Sequence, residues 1–553
     1  MASPTYAVLA LLPLVSWFLY TQLTRWRFKK FANMPYVKPP SLLLGNLKHM
    51  DETMKKIGDP RHHPDYVFRD MSRSMANPEL VFVDLRPAFY PMLVIASHDI
   101  AEQVSKSSKA FHYGCTKSPT VHALGPLIGT RSILSSEGET WKTLRKQFNP
   151  GFAPQHLITL LPPILDKTSI FMTKLDRIAQ SGEATAMEPY CNNLTFDVIG
   201  KVVTGLDFDA QDDVSHGNDI VRHFRDAMAT YTDDDGFWSV ANIPKYIKRH
   251  ILCRQVDASV KRCVTERFEK IKAERISGKK QSSDRSVLAL ALQNIDALTK
   301  DALQDIADQI KTFLVAGHDT TSILLERLFH ELSINPKCLA TIRAEHDAIF
   351  GDSDPRDVFL ARPDETMRDL SYTSACIKEA LRLWPPAGSA RWSTEGNGFK
   401  VRKEDGHEIV VDGMVLYLNH FLIQRDPKVY GESADDFVPE RWLGNTNTST
   451  TAGDDKSQSG ASKIPVSAWR AFERGPRNCI GQEVTNLEAR VILACVMRKY
   501  DFVKVGAGEV ELDEKQQPMV DEKGRYKTKS ELFSAISITS KPHDKCIMRI
   551  KLR

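Results

Sequence analysis

The sequence predicts a mainly α-helical protein with a minor β region, preceded by one N-terminal transmembrane helix. Three observations carry this. A helical pattern dominates from about Pro154 to His330, and Leu303, Ile306, Ile310, Phe313, Leu324, Leu328 and Leu332 keep mostly three-to-four spacing, the period of an α-helix. Short apolar, β-branched segments occur at Val81–Leu85 and Met92–Ile95 and again at Phe399–Arg402, Glu408–Val411 and Val415–Leu418, which read as strands. A charge-free apolar run, Tyr6–Leu23, lies near the amino end.

The run Tyr6–Leu23 is near the lower limit of about 18 residues for a bilayer span. Trp17 and Tyr20 suit an interfacial aromatic belt, and Arg25, Arg27, Lys29 and Lys30 follow on one side only, which places the body in the cytosol. Residues 1–30 thus form an anchor with a basic flank, expected as a single pass in the endoplasmic reticulum membrane. Residues 31–50 form a connector in which Pro35, Pro39, Pro40 and Gly45 break helix. Residues 51–553 form the main body. Trp141–Phe148 reads as a helix within it. The polar stretch Phe208–Lys248, with Asp233, Asp234 and Asp235, reads as a loop, and residues 444–462 as a disordered insertion. Pro336 marks the end of the long helix Leu303–Leu332.

Hydrophobic residues make up 42% of the 553 and charged residues 26%, ordinary for a protein with a sizeable core. The net charge of +4 lacks the concentrated basic field of a nucleic-acid protein. The nine cysteines form no Cys-x-x-Cys pair and no Cys/His cluster, which argues against structural zinc. Their low density and odd number argue against a disulfide framework and for a reducing compartment.

One cysteine stands apart. In Phe472-Glu473-Arg474-Gly475-Pro476-Arg477-Asn478-Cys479-Ile480-Gly481, Gly475 and Pro476 favour a tight turn. Gly481 permits close approach on the other side. A helix follows from about Gln482 to Lys499, with Val484, Leu487, Val491 and Ala494 on one face. Cys479 therefore lies just before a helix start, where unpaired amides and the dipole favour a thiolate. The other eight cysteines read as small buried hydrophobes.

This segment resembles the haem loop of the cytochrome P-450 family, Phe-x-x-Gly-x-Arg-x-Cys-x-Gly, matched at Phe472, Gly475, Arg477, Cys479 and Gly481. The resemblance implies the cytochrome P-450 fold, haem b (iron protoporphyrin IX) with the Cys479 thiolate as axial ligand, and Phe472, Arg477 and Gly481 as cofactor-binding residues. The family's long helix carries a motif similar to Ala316-Gly317-His318-Asp319-Thr320-Thr321. Here it implies that Asp319 and Thr320 are catalytic and relay protons for cleavage of dioxygen. Read physically, mid-helix Gly317 costs about 1 kcal/mol against Ala and is expected to open room beside a ligand. Thr320 is placed to bond back to the carbonyl four residues earlier.

Further motifs follow from the same resemblance. Trp141 and Arg145, in Trp-x-x-x-Arg, and Arg391 are implied to hold the haem propionates, a task suited to arginine's paired donors. Glu379 and Arg382 share a helix face and read in isolation as a surface ion pair. The resemblance implies a buried network with Arg441. Thr485 stands where the family usually has a small apolar residue.

The function implied is a monooxygenase acting on a lipophilic small molecule and dioxygen, closest in character to fungal members that tailor secondary metabolites. The stretch Ile480–Arg553 is too short for a fused flavin reductase. A separate NADPH-dependent flavoprotein reductase is therefore the expected partner, docking on Lys142, Lys146, Arg470 and Arg474. A haem-thiolate isomerase or dehydratase and a non-catalytic haem carrier are the rivals within and beyond the fold. A fatty acid or sterol is the alternative substrate.

Overall fold

The structure, a computed structural model, describes residues 4–38, 40–215, 217–231, 242–277, 284–444 and 464–553. Pro39, the acidic triplet Asp233, Asp234 and Asp235, and the expected insertion beyond Gly444 lie outside the described residues. The chain divides into two compact units, the first comprising Met1–Ser118, Gly388–Asp426 and Arg474–Arg477, and the second the remainder.

The first unit is built on a five-stranded sheet. Its strands lie in the spatial order Leu80–Val83, Met92–Ile95, Val415–Leu418, Ser389–Trp392 and Thr116–Lys117. Met92–Ile95 and Val415–Leu418 run parallel, and the other neighbours run antiparallel. Side chains alternate across a strand, and both faces here are apolar. Leu80, Phe82, Leu93, Ile95, Leu416 and Leu418 enter one cluster with Phe28, Phe31 and Met34. Val81, Val83 and Val94 enter another with Val67, Phe68 and Met71 of the helix Pro64–Arg73. A sheet covered on both sides gives continuous apolar runs, which is why these strands are readable. A small hairpin, Lys400–Arg402 with Glu408–Val410, adds Val401 and Ile409 to the first cluster.

The apolar run Tyr6–Leu23 lies inside the helix Pro4–Phe28. Among the described residues no helix is long and apolar enough to cross a membrane. Trp17 is 67% and Trp26 77% exposed on this helix. Its end is fixed to the sheet. Arg27 donates to Asp84 at 2.8 Å, and Arg86 donates to the same carboxylate at 2.9 Å. Burial pushes the Asp84 carboxyl up, but hydrogen bonds from Arg86 and Arg27 outweigh it and hold it below the usual range. Lys30 reaches Glu395 at 2.5 Å. Phe31 stacks on Phe82 at 4.0 Å, so the connector begins packed into the sheet's apolar face.

The second unit is organised around the helix Lys300–Ile334, buried along most of its length. Thr299 caps it, accepting from the Ala302 amide at 3.2 Å, and Pro336 opens the next helix, Pro336–Phe350. The helix Glu188–Thr204 lies against it so closely that a Cβ at Gly317 would stand 2.4 Å from Ile199 Cγ1. Gly317 thus serves helix–helix approach, correcting the expectation that it opens room beside a ligand. Polar Phe208–Lys248 is not a single loop. Asp219–Ala229 is a helix, capped by Asn218, and Ile243–Ile276 begins before the stretch ends. Near the carboxyl end, the strands Ala184–Ala186, Ile547–Leu552 and Tyr500–Lys504 form an antiparallel sheet, and Ser534–Ile536 pairs with Ser540–Pro542 in a hairpin.

The pair Glu379–Arg382 sits in the helix Ser371–Leu383 with both side chains 0% exposed, which overturns the surface ion pair read in isolation. Arg382 donates twice to Glu379, both at 2.9 Å. Arg441 and Trp442 donate to the same carboxylate at 3.0 and 2.9 Å, and the Val438 amide at 2.9 Å. Every charge in this buried set has a counter-charge or a donor, the condition under which such a network persists.

Candidate active site

Cys479 precedes the helix Gln482–Val496, whose N-cap is Gly481. Its amide donates to the Phe472 carbonyl at 2.9 Å, closing the loop, and the Glu473 amide donates to Arg470 O at 2.7 Å. Glu473 has φ 57° and Gly475 φ 76°. At Gly475 a Cβ would lie 2.3 Å from the Ser105 carbonyl oxygen, so the turn requires glycine for both conformation and space. The loop passes from the second unit into the first at Arg474–Arg477 and returns at Asn478.

Eight of the nine cysteines are buried and Cys479 is exposed. Burial pushes Cys338 up to about 11 and Cys263 and Cys495 to about 12, which keeps them as thiols at neutral pH. Arg145, on the helix Gly138–Phe148, donates to Asn478 O at 2.7 Å and to Asn478 Oδ1 at 2.9 Å. Burial lowers the Arg145 pKa, and the Cys479 thiolate works against that lowering. Arg145 therefore braces the residue before the cysteine, a contact not foreseen from sequence. Trp141 is buried on the same helix.

Asp319 and Thr320 are adjacent in sequence but do not share a face, as i and i+1 positions never do on a helix. Thr320 Oγ1 donates to the Ala316 carbonyl at 2.7 Å, as its position predicts, and Ala316 is exposed on a helix otherwise mostly buried. Asp319 points the other way, 1% exposed, accepting from Thr539 Oγ1 and standing 2.7 Å from Lys541 Nζ. Burial pushes its carboxyl up, and Lys541 and His318 outweigh that and leave it below the usual range. Neither Thr539 nor Lys541 carries a motif, and only the hairpin brings them to the long helix. Thr321 and Thr485 hydroxyl oxygens lie 3.4 Å apart. The start of the helix after Cys479 is thus seated against the turn carrying Thr320, and the departure at Thr485 is a polar contact to that turn.

Within the first unit Arg391 is 0% exposed on the strand Ser389–Trp392 and donates to Cys115 O at 3.3 Å. Arg477 is buried. Of the basic residues expected to dock a reductase, Arg470 is 0% exposed and paired with Glu473, so it is removed from that surface. Arg474 pairs with Glu102 at 3.0 Å, and Lys142 and Lys146 remain exposed.

The donor set of the second unit fits a haem. One exposed thiol stands at a helix start, that helix touches the turn carrying Thr320, and Arg145 braces the loop ahead of the sulfur. A family model described as Cytochrome P450 matches residues 37–529. Cytochrome P450 monooxygenase acrF of Aspergillus aculeatus is 30% identical over 453 residues, 80% of this chain and 87% of that protein. Cytochrome P450 monooxygenase polC of Polytolypa hystricis is 26% identical, over 82% of this chain and 79% of its own length. The crystal structure of the cytochrome P450DA heme domain superposes with a TM-score of 0.69 at 19% identity, covering 94% of this chain and 97% of that one.

Proposed function

This chain belongs to the cytochrome P450 family, and on that footing we propose that it inserts one oxygen atom of dioxygen into a lipophilic small molecule of secondary metabolism. The class is that of a monooxygenase, an oxidoreductase, and the cofactor is haem with a cysteine thiolate ligand. Electrons come from a separate NADPH-dependent flavoprotein reductase that docks on exposed Lys142 and Lys146. The apolar helix Pro4–Phe28, with Trp17 and Trp26 exposed, holds the protein at the endoplasmic reticulum membrane, next to a lipophilic substrate supply, with the catalytic body on the cytosolic side.

The observation that carries the reading is the exposure of Cys479 alone among the nine cysteines, at a helix start. Haem held by Cys479 would supply the redox-active iron for dioxygen chemistry, and a thiolate ligand would make that iron more electron-rich. The chain's residues do the rest. Cys479 provides the thiolate, and the amides at the start of Gln482–Val496 stabilise its charge. Arg145 holds Asn478, and with it the backbone ahead of the sulfur. Trp141 and Arg145 would hold one haem propionate, and Arg391 of the first unit is the candidate for the other. Thr320 holds a proton at Oγ1, directed to Ala316 O, and Asp319 is the acid that resupplies protons.

The test is the carbon monoxide difference spectrum of the ferrous protein beside Cys479→Ala. The wild type shows the thiolate-ligated band and reductase-dependent dioxygen consumption with a lipophilic substrate panel. Cys479→Ala loses both. A variant that kept both would overturn the assignment.

A further inference from the structure

Asp319 occupies a charge arrangement that spans three elements of the second unit. Lys541 Nζ lies 2.7 Å from Asp319 Oδ1 and 3.1 Å from Glu188 Oε1. Glu188 opens the helix Glu188–Thr204, Lys541 stands on the hairpin strand Ser540–Pro542, and Asp319 is mid-way along Lys300–Ile334. Exposure falls along this row, from 19% at Glu188 and 18% at Lys541 to 1% at Asp319. One ammonium between two carboxylates, one near solvent and one buried, has two seats.

We propose that Lys541 is a positioning residue that sets when Asp319 carries a proton: seated on Asp319 it keeps the carboxylate ionised and directed to the hairpin, and drawn to Glu188 it releases it. This rests on the reading of Asp319 as the acid of the site.

The surroundings leave Lys541 as the strongest counter-charge. On the long helix, burial lowers the His318 pKa, which weakens it as a counter-charge, and its Nδ1–H donates to the Leu314 carbonyl. Two turns on, Glu326 is pushed up to about 8 by burial, so it is uncharged at pH 7 and does not compete for the ammonium. From the helix Asp219–Ala229, Arg225 reaches Asn193 and acts on His318. The hairpin supplies Thr539, a neutral donor, beside Lys541. Without Lys541 the strongest influence opposing burial is gone, and burial favours the protonated carboxyl. Release lets an Asp319 oxygen take a proton from solvent hydronium, leaving water. Passing that proton on breaks the O–H bond and restores the anion to Lys541, with no change of oxidation state.

The experiment follows the carbonyl stretch of protonated Asp319 by infrared titration of the full haem-loaded chain, with Asp319→Asn identifying the band. The dependence of turnover on pH is recorded alongside. Lys541→Met raises the midpoint, with proton affinity increased about tenfold or more. Glu188→Gln lowers it, because the ammonium then serves Asp319 alone. Lys541→Arg restores the wild-type midpoint. A merely structural bridge between hairpin and helix predicts no such opposition. Midpoints that stay put, or that move in the same direction in both variants, overturn the proposal, and if Lys541→Met does not fold, Glu188→Gln without a downward shift does so alone. Asp319→Asn with undiminished turnover overturns the reading of Asp319 as the acid. Lost turnover there, with unmoved midpoints in the Lys541 and Glu188 variants, overturns only the role of Lys541.

Discussion

Glu326 keeps a proton at neutral pH because its surroundings offer too little to a negative charge. It is 1% exposed, receives Ser322 Oγ at 3.0 Å on one oxygen and has no hydrogen-bond partner for Oε2. Burial, aided by the nearby Glu188 charge, pushes it up to about 8, against about 4.3 in the unfolded chain. The folded state binds the proton through that window and the unfolded state does not, so the stability tied to this group is full below about pH 4 and lost as pH rises toward 8. Glu326→Gln is expected to flatten thermal stability between pH 5 and 8, measured as Tm across that range. Gly317 gives a second expectation at this scale. Gly317→Ala forces Cβ against Ile199 and should cost about 1–3 kcal/mol by urea titration, with Ile199→Ala in the same chain restoring part of it. Cys479, Asp319 and Thr320 stand out as candidates in the sequence because they sit in contiguous motifs. The role of Gly317 was not, because the backbone it approaches belongs to another helix, and Lys541 was not, because a lone lysine on a short strand carries no local pattern.

Among elements, the segment Phe437–Trp442 and the helix Ser371–Leu383 are joined by Glu379, which accepts from Arg382, Arg441, Trp442 and the Val438 amide. Removing the carboxylate leaves the buried Arg382 guanidinium and the largely covered Arg441 without the carboxylate they share. Glu379→Ala is expected to cost roughly 3–5 kcal/mol in a denaturant titration and to lower haem retention with it. Long helices were readable from apolar spacing, and Lys300–Ile334 extends the predicted Leu303–Leu332 by little at either end. The helix Asp219–Ala229 was hidden by its polar composition. Its signal was Asn218 as a cap ahead of Ile220, Val221 and Phe224. The hairpin Ser534–Pro542 is too short and too polar to announce itself, and it is the element that reaches Asp319.

At the scale of the molecule, acid is the expected route to unfolding. Asp84 and Asp257 are both pushed up by burial, yet ion pairs with Arg86 and Arg27, and with Lys261 and Lys311, hold them below the usual range. A depressed folded pKa contributes stability above the unfolded value of about 3.9, lost as pH falls through the folded one. Asp84→Asn should lower stability at pH 7 and lose less of it on acidification below pH 4, followed by tryptophan fluorescence. Strands could be picked out along the chain, but their order could not. Met92–Ile95 finds its parallel neighbour only at Val415–Leu418, and no local signal specifies a partner so far away.

That pairing fixes a schedule for synthesis. The sheet of the first unit has Val415–Leu418 between Met92–Ile95 and Ser389–Trp392, so it cannot close while the ribosome is still translating the helices in between. At roughly 5–20 residues per second, the early strands wait for tens of seconds with an unsatisfied edge and bare apolar faces. During that interval they are a client for chaperones, and the nascent chain is most open to aggregation before its last strands emerge.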